Sequence, residues 1–128
     1  MHQLHIGTAT EFLRLEIEPE YPGWLRAQIT IQVHGFNGLV VASFEPGDFE
    51  AFERELQALN TALAGVAEFS SRENQVTFYL RVNKLGHIDV SGEAWSQPFH
   101  NRNKLAFEFN IDQTFLPPIL AQLGAINA

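Results

Sequence analysis

The five histidines are the residues of this sequence best suited to metal chemistry. A catalytic zinc site needs about three protein ligands that converge on one point. His87 and Asp89 are two residues apart, so they share one face if they lie on a strand. His34 would complete a group of three ligands only if its own strand ran beside theirs. None of these residues has the close spacing of known metal motifs, so we predict no metal site and no cofactor.

Candidate groups for covalent or acid–base catalysis are few. Cysteine is absent, which excludes disulfides, thiolate metal ligands and a thiol nucleophile. Ser91 lacks the Gly-x-Ser-x-Gly pattern of a nucleophile elbow, and no glycine-rich phosphate loop opens a helix. Asp112 precedes a predicted helix, where an Asp usually accepts hydrogen bonds from the backbone of the next residues. We therefore predict that the chain is not an enzyme.

Two helices are predicted from apolar periodicity and helix-start signals. Over residues 46–64 the apolar residues recur at alternating spacings of three and four, which places them in one stripe. The stripe consists of Phe49, Phe52, Leu56, Leu59 and Leu63. Asp48 suits the first turn of this helix, where the helix dipole favours an acid. A short C-terminal helix follows Asp112, with Pro117 and Pro118 in its first turn, where a missing N–H is tolerated.

About seven β-strands are predicted from the alternation of apolar and polar residues. They cover approximately residues 13–17, 24–36, 39–44, 66–70, 76–82, 87–95 and 105–111. Each predicted strand is apolar on one side only, which is typical of an antiparallel sheet with one covered face. We therefore predict a single α+β domain over residues 1–128. It would be an antiparallel sheet of about seven strands, with helix 46–64 packed on one face and the short helix at the C-terminus.

Two β-hairpins are predicted from turn chemistry. Asn37-Gly38 is a strong signal for a type I′ turn, and such a turn pairs Phe36 with Leu39. The loop at residues 84–86 fits a three-residue turn that ends in a left-handed glycine. That second turn pairs Val82 with Ile88. In both hairpins the predicted register brings the apolar sides of the two strands onto the same face.

The charge of the chain is acidic and unevenly distributed, with a formal net charge of −7 at pH 7. Residues 1–68 contain ten Asp or Glu and three Arg, whereas residues 69–128 contain five acids and five bases. This balance argues against binding to nucleic acid and is compatible with a basic protein partner. The residues predicted to bind a partner are the acids Glu50 and Glu53 on the exposed side of the long helix and the outward aromatics Trp24, Tyr79 and Trp95.

The sequence carries no signal for a membrane or for export. No apolar run approaches the roughly 20 residues of a membrane span. The N-terminal residues 1–5 lack the basic and apolar regions of a signal peptide. We therefore expect a cytoplasmic protein that contacts no membrane, and the oligomeric state is left open.

Three motifs give the chain a family resemblance. They are Gly86-His87-Ile88-Asp89-Val90-Ser91-Gly92, Phe107-Glu108-Phe109 and Asp112-Gln113-Thr114, and Trp24-Leu25 and Gly35-Phe36 bound the first long strand. With these motifs the chain resembles the WapI-type family of bacterial immunity proteins, which belong to contact-dependent (polymorphic) toxin systems. The resemblance runs from about Phe12 to Leu123. It implies a non-catalytic cytoplasmic domain that protects a bacterium by binding a toxin.

Two other functions remain open from the sequence. The first is a self-associating accessory protein, because edge strands can pair between copies. The second is a small-molecule or metal-dependent enzyme with a pocket beneath the sheet. A dimer with an apolar contact would favour the first, and convergent polar groups in a deep pocket would favour the second.

Overall fold

The computed structural model describes residues 1–128 and contains two antiparallel sheets of four strands each. The N-terminal sheet consists, in spatial order, of β1 (His2–Gly7), β2 (Phe12–Glu20), β3 (Trp24–Val33) and β4 (Phe36–Phe44). Helix α1 (Pro46–Ala62) follows. The C-terminal sheet consists of β5 (Val66–Phe69), β6 (Val76–Val82), β7 (Ile88–Gln97) and β8 (Asn101–Ile111). A 3-10 turn (Gln113–Phe115) then leads into helix α2 (Leu116–Ile126).

The predicted α+β class is confirmed, but the single sheet of about seven strands is wrong. The predicted strands also omit β1, which pairs with β2 from His2 opposite Ile17 to Gly7 opposite Phe12. A strand with one apolar side can lie in one sheet covered by a helix or in two sheets that face each other. The alternation of residues is the same in both arrangements, and here the strands divide at α1 into two sheets.

Both sheets and both helices contribute to one core of 28 buried apolar residues. On one side of this core the sheets approach closely, with β4 near β7 and β3 near β8. The approach is so close that a Cβ atom at Gly38 would lie 2.9 Å from Cδ2 of Leu105. On the other side α1 contacts β5, α2 contacts β1, and the helices contact each other. The helices therefore close the core where the sheets diverge.

Helix α1 buries most of the predicted apolar stripe. Phe49, Phe52, Leu56 and Leu59 are buried as predicted. Leu63 is an exception, because it is the C-cap residue, with φ 51°, and its side chain is 46% exposed. At the other end the Asp48 carboxylate accepts a hydrogen bond from the N–H of Glu45 at 2.9 Å. Neither helix is long and apolar enough to cross a membrane.

The β6–β7 hairpin has the predicted register. Val82 pairs with Ile88, and the pairing continues without interruption along both strands. The N–H of Asn83 donates to the C=O of His87 at 2.8 Å and closes a three-residue loop. Gly86, the last residue of that loop, has φ 82°. The left-handed conformation predicted for this glycine is therefore confirmed.

The β3–β4 hairpin differs from the prediction. The structure pairs Val33 with Phe36, so the turn is His34-Gly35 and not Asn37-Gly38. Gly35 supplies the left-handed residue, with φ 86°. The observed turn forms nine residue pairs, whereas the predicted one would leave much of β3 without a partner for its backbone. The two registers differ by an even number of residues, so the side-chain pattern is satisfied by both.

Candidate protein-binding site

The outer face of the C-terminal sheet carries a polar groove centred on Tyr79. The strand registers place Glu68 of β5, Tyr79 of β6, Ser91 of β7 and Glu108 of β8 in one row across the sheet. Small side chains beside the large tyrosine leave a depression of ≈ 440 Å³. Glu68, Glu93 and His100 are among its lining residues, and the lining contains no Lys or Arg. We call this depression the Tyr79 groove.

Two carboxylates give the Tyr79 groove a negative character. Glu68 lies directly opposite Tyr79 on β5, and Glu93 lies opposite Thr77, the next outward residue along β6. Burial raises the pKa of the Tyr79 phenol, and the negative charges of Glu68 and Glu93 raise it further. The phenol therefore stays protonated at neutral pH and can donate a hydrogen bond. The charges of the groove favour a cationic group of a partner over an anionic one.

A contact cluster around Trp95 adjoins the groove through Glu93 and His100, which line it. The His100 ring stacks on Trp95 with 4.9 Å between the ring centroids and 17° between the planes. Trp95 Nε1 donates to Glu93 Oε1 at 3.3 Å. Lys104 Nζ lies 3.6 Å from Glu93 Oε2 and 5.4 Å from the Trp95 centroid. These contacts hold the indole in place before a partner arrives, which reduces the entropy lost on binding.

The structure brings together two of the three aromatic residues predicted to bind a partner. Tyr79 and Trp95 both lie on the outer face of the C-terminal sheet, on β6 and β7. Trp24 is the first residue of β3, in the N-terminal sheet, where it pairs with Glu20. Trp24 therefore belongs to a different surface from the other two.

The acids of α1 are largely engaged in contacts within the chain. Glu53 Oε1 accepts a hydrogen bond from Asn127 Nδ2 at 3.0 Å, which ties α1 to the end of α2. Glu45 Oε1 lies 3.2 Å from a guanidinium nitrogen of Arg72. Glu50 is exposed and forms no ion pair. Of the two acids predicted to attract a partner, Glu50 is the one left free on the surface.

The residues of the site that were not among the predicted ones include Glu68, Glu93, His100 and Lys104. The β6–β7 register, which turn chemistry predicts, places Glu93 opposite Thr77 and so beside Tyr79. That signal was present in the sequence. The positions of the others depend on the pairing of β5 and on the irregular β7–β8 connection near Gln97, for which no local pattern exists.

The histidines do not form a ligand cluster. No group of three or more His, Cys, Asp or Glu side chains could hold a metal ion. His34 lies in the β3–β4 turn of the N-terminal sheet, whereas His87 closes the β6–β7 hairpin of the other sheet. Asp89 accepts hydrogen bonds from the side-chain amides of Asn83 and Asn110. Asp89 thus stabilises a hairpin end.

Several residues of the family-like motifs hold two chain connections together. Gln113 Nε2 donates to the C=O of Gly86 at 2.8 Å, which fastens the entry of α2 to the β6–β7 turn. The Asp112 carboxylate accepts from the N–H of Thr114 at 2.8 Å, as predicted for an Asp before a helix. These contacts within the chain account for the motif residues by their role in the fold, without a binding partner.

We expect Asp112→Ala to lower the melting temperature more at neutral pH than in acid. Hydrogen bonds from Thr114 lower the pKa of Asp112 below its ordinary value of 3.8, and the charge of His87 lowers it further. A carboxyl group with a lowered pKa stabilises the fold above its unfolded pKa and loses that effect as pH falls through its folded pKa. Thermal unfolding followed by circular dichroism between about pH 7 and pH 2 measures the difference.

The matched control for this prediction is Asp112→Asn, which keeps an oxygen acceptor but cannot titrate. The difference in melting temperature between Asp112→Asn and Asp112→Ala should be the same at every pH. If Asp112→Ala lowers the melting temperature by the same amount at every pH, the assigned role of the carboxylate charge is wrong.

Comparison with known proteins identifies one family. The family model described as immunity protein WapI-like family matches residues 3–128. The match includes every strand of both sheets and both helices except the first residue of β1. Neither the curated proteins nor the solved structures contain a match to the chain.

Proposed function

The chain belongs to the immunity protein WapI-like family, and we propose that it neutralises a cognate toxin in the cytoplasm by binding it through the Tyr79 groove. Membership in an immunity family supports a protective role achieved by binding and not by catalysis. The choice of surface is supported by one observation above all. Tyr79 lines the groove, and Trp95, held by His100 and Glu93, adjoins it on the same face of the sheet. Tyr and Trp are the residue types that most often dominate the energy of an interface.

The charge of the groove supports a basic partner. Its lining contains Glu68 and Glu93 without a Lys or Arg. Lys104, outside the lining, pairs with Glu93, so Glu68 carries the uncompensated charge. The whole chain has a net charge of −7. A toxin that acts on nucleic acid needs Lys and Arg to bind phosphate. An acidic protein can approach and cover such a surface, because complementary charges speed the encounter and exclude the substrate.

The first prediction from this proposal concerns dissociation. Tyr79→Ala should speed dissociation from the cognate toxin about tenfold or more, as truncation of a central aromatic does. The matched control is Tyr21→Ala, because Tyr21 is 95% exposed and lies in the β2–β3 turn away from the groove. Surface plasmon resonance measures both rates. Equal effects of the two substitutions would remove the groove from the interface.

The second prediction concerns association. The rate should fall steeply as salt is added, because screened charges no longer steer the encounter. Glu50→Lys should slow association and reduce this salt dependence if α1 contributes to steering. Glu16→Lys is the matched control, since it changes the net charge equally but lies on β2 of the N-terminal sheet and not on α1. Stopped-flow mixing at several salt concentrations separates a local effect of α1 from an effect of net charge.

The proposal as a whole is tested by protection. Cells that express the cognate toxin should survive when they also express this chain, and the two proteins should co-purify in a fixed ratio. Survival without a physical complex would contradict neutralisation by binding.

A further inference from the structure

On three of the four edge strands in the two sheets, side chains of the chain itself bond one or two backbone groups. At β1, Gln122 of α2 accepts from the N–H of His5 at 2.7 Å and donates to its C=O at 3.3 Å. At β4, Gln75 Nε2 donates to the C=O of Val41 at 3.0 Å. At β5, Glu55 of α1 accepts a hydrogen bond from the N–H of Glu68 at 3.0 Å. Each of these contacts occupies a backbone group that a strand of another chain would need for pairing.

The outward backbone groups of β8 have no such contact, although β8 is the longest strand, with 11 residues. The N–H of Trp95 donates to the C=O of Gln75 beside β6. Backbone groups of alternate residues point to the same side of a strand, so the N–H and C=O groups of the odd-numbered β7 residues point toward β6. Even-numbered residues of β7 then face β8, where they pair with odd-numbered residues. The backbone groups of Lys104, Ala106 and Glu108 therefore point to the free edge. No hydrogen bond within the chain reaches them.

The side chains along this edge are complementary to a second copy of the same edge. In an antiparallel pair with its two-fold axis at Ala106, Lys104 lies opposite Glu108 of the second copy, and Glu108 lies opposite its Lys104. Lys104, Ala106 and Glu108 are all exposed. Opposite charges directly across a strand pair are stabilising, and like charges are destabilising.

The alternative two-fold registers are less favourable. An axis at Lys104 would place two lysines against each other, and an axis at Glu108 would place two glutamates against each other. An axis at Leu105 would place Lys104 opposite Ala106 and Glu108 opposite Arg102, whose φ of 78° departs from extended backbone. An axis at Phe107 would place Glu108 opposite Ala106 and Lys104 opposite Asn110, so no opposite charges would meet. The pattern of charge and backbone direction therefore selects Ala106, whose small side chain leaves room at the axis.

We propose that two copies of the chain associate through their β8 edges, with Ala106 at the two-fold axis. The two C-terminal sheets then form one continuous sheet whose central strands are the two β8 strands. The axis is perpendicular to this sheet, so both Tyr79 grooves lie on the same face. The association does not depend on toxin binding, and it makes the assembly bivalent for whatever the groove binds.

The oligomeric state of the tag-free chain tests this inference directly. Sedimentation equilibrium over a range of concentrations should show monomer and dimer in exchange, because a single strand pair is a small interface. Ala106→Pro should abolish the dimer, since it removes the central N–H that points to the free edge while the β7–β8 ladder stays intact. An unchanged melting curve serves as the control for folding.

A charge swap tests the register. Glu108→Lys and Lys104→Glu should each raise the dimer dissociation constant about tenfold, because each replaces two attractive pairs by two repulsive ones. The double variant should return close to the wild-type value, and only residues that face each other can restore binding in this way. Lys104 also lies 3.6 Å from Glu93, so the melting temperature of each variant is measured alongside.

Three results would overturn the inference. The first is a wild-type chain that remains monomeric at all concentrations. The second is a dimer that persists in Ala106→Pro, or a double charge-swap variant that dimerises no better than the single variants. The third is a monomeric chain whose toxin binding is lost in Ala106→Pro, which would assign the β8 edge to a strand of the toxin.

Discussion

Replacing Phe69 with Ala should lower the free energy of unfolding by about 3–5 kcal/mol, the range of buried phenylalanine truncations. The Phe69 side chain on β5 is fully buried. Its ring centroid lies 5.3 Å from that of Phe44, 5.2 Å from Phe49, 5.8 Å from Phe52 and 4.9 Å from Phe78. These four rings belong to β4, α1 and β6, so the cavity would open where both sheets and the long helix meet.

The matched control is Phe99→Ala. Phe99 is 68% exposed in the turn between β7 and β8, so its truncation should change stability by less than about 0.5 kcal/mol. Urea unfolding with an unchanged dependence on denaturant measures both variants. A loss of less than about 1 kcal/mol for Phe69→Ala would mean that its aromatic contacts are dispensable.

Gly92→Ala should destabilise the fold by about 3 kcal/mol, at the upper end of the usual effect of overpacking. A Cβ atom at this position would lie 2.4 Å from the backbone oxygen of Thr77 and 2.7 Å from Cβ of Phe78. Both atoms belong to the neighbouring strand β6, which cannot withdraw without breaking its hydrogen bonds to β7. The added methyl group therefore has no space.

The reason for this glycine differs from the one that the sequence suggests. A glycine within a strand often marks a bulge. The structure pairs Gly92 with Phe78 on one side and Phe107 on the other without interruption. The irregularity lies instead between Trp95 and Gln97. Gly92 is required because the adjacent strand and its phenylalanine approach so closely.

Gly47→Ala is the matched control for Gly92→Ala. No atom lies within 4 Å of a Cβ placed at Gly47, which is in the first turn of α1. Alanine should be neutral there or stabilising by up to about 1 kcal/mol, because it favours the helix and restricts the unfolded chain. If thermal and urea unfolding show equal losses for the two variants, the steric explanation is wrong.

The sequence by itself determined those features that depend on residues close together in the chain. The stripe from Phe49 to Leu59, the loop that ends at Gly86 and the helix start after Asp112 all follow the prediction. Periodicity and turn chemistry act over a few residues, so distant contacts do not change them. The β6–β7 register follows from the same local signals, and it already places Glu93 next to Tyr79.

Only the tertiary structure decided how these elements combine. Alternation shows which side of a strand is apolar, but not whether a helix or a second sheet covers it. The single sheet predicted from it was therefore wrong, and the division into two sheets separates Trp24 from Tyr79 and Trp95. The β3–β4 register was settled by the greater number of backbone pairs that the His34-Gly35 turn allows. The groove and the open β8 edge arise in the same way, because burial and backbone pairing depend on residues far apart in the chain.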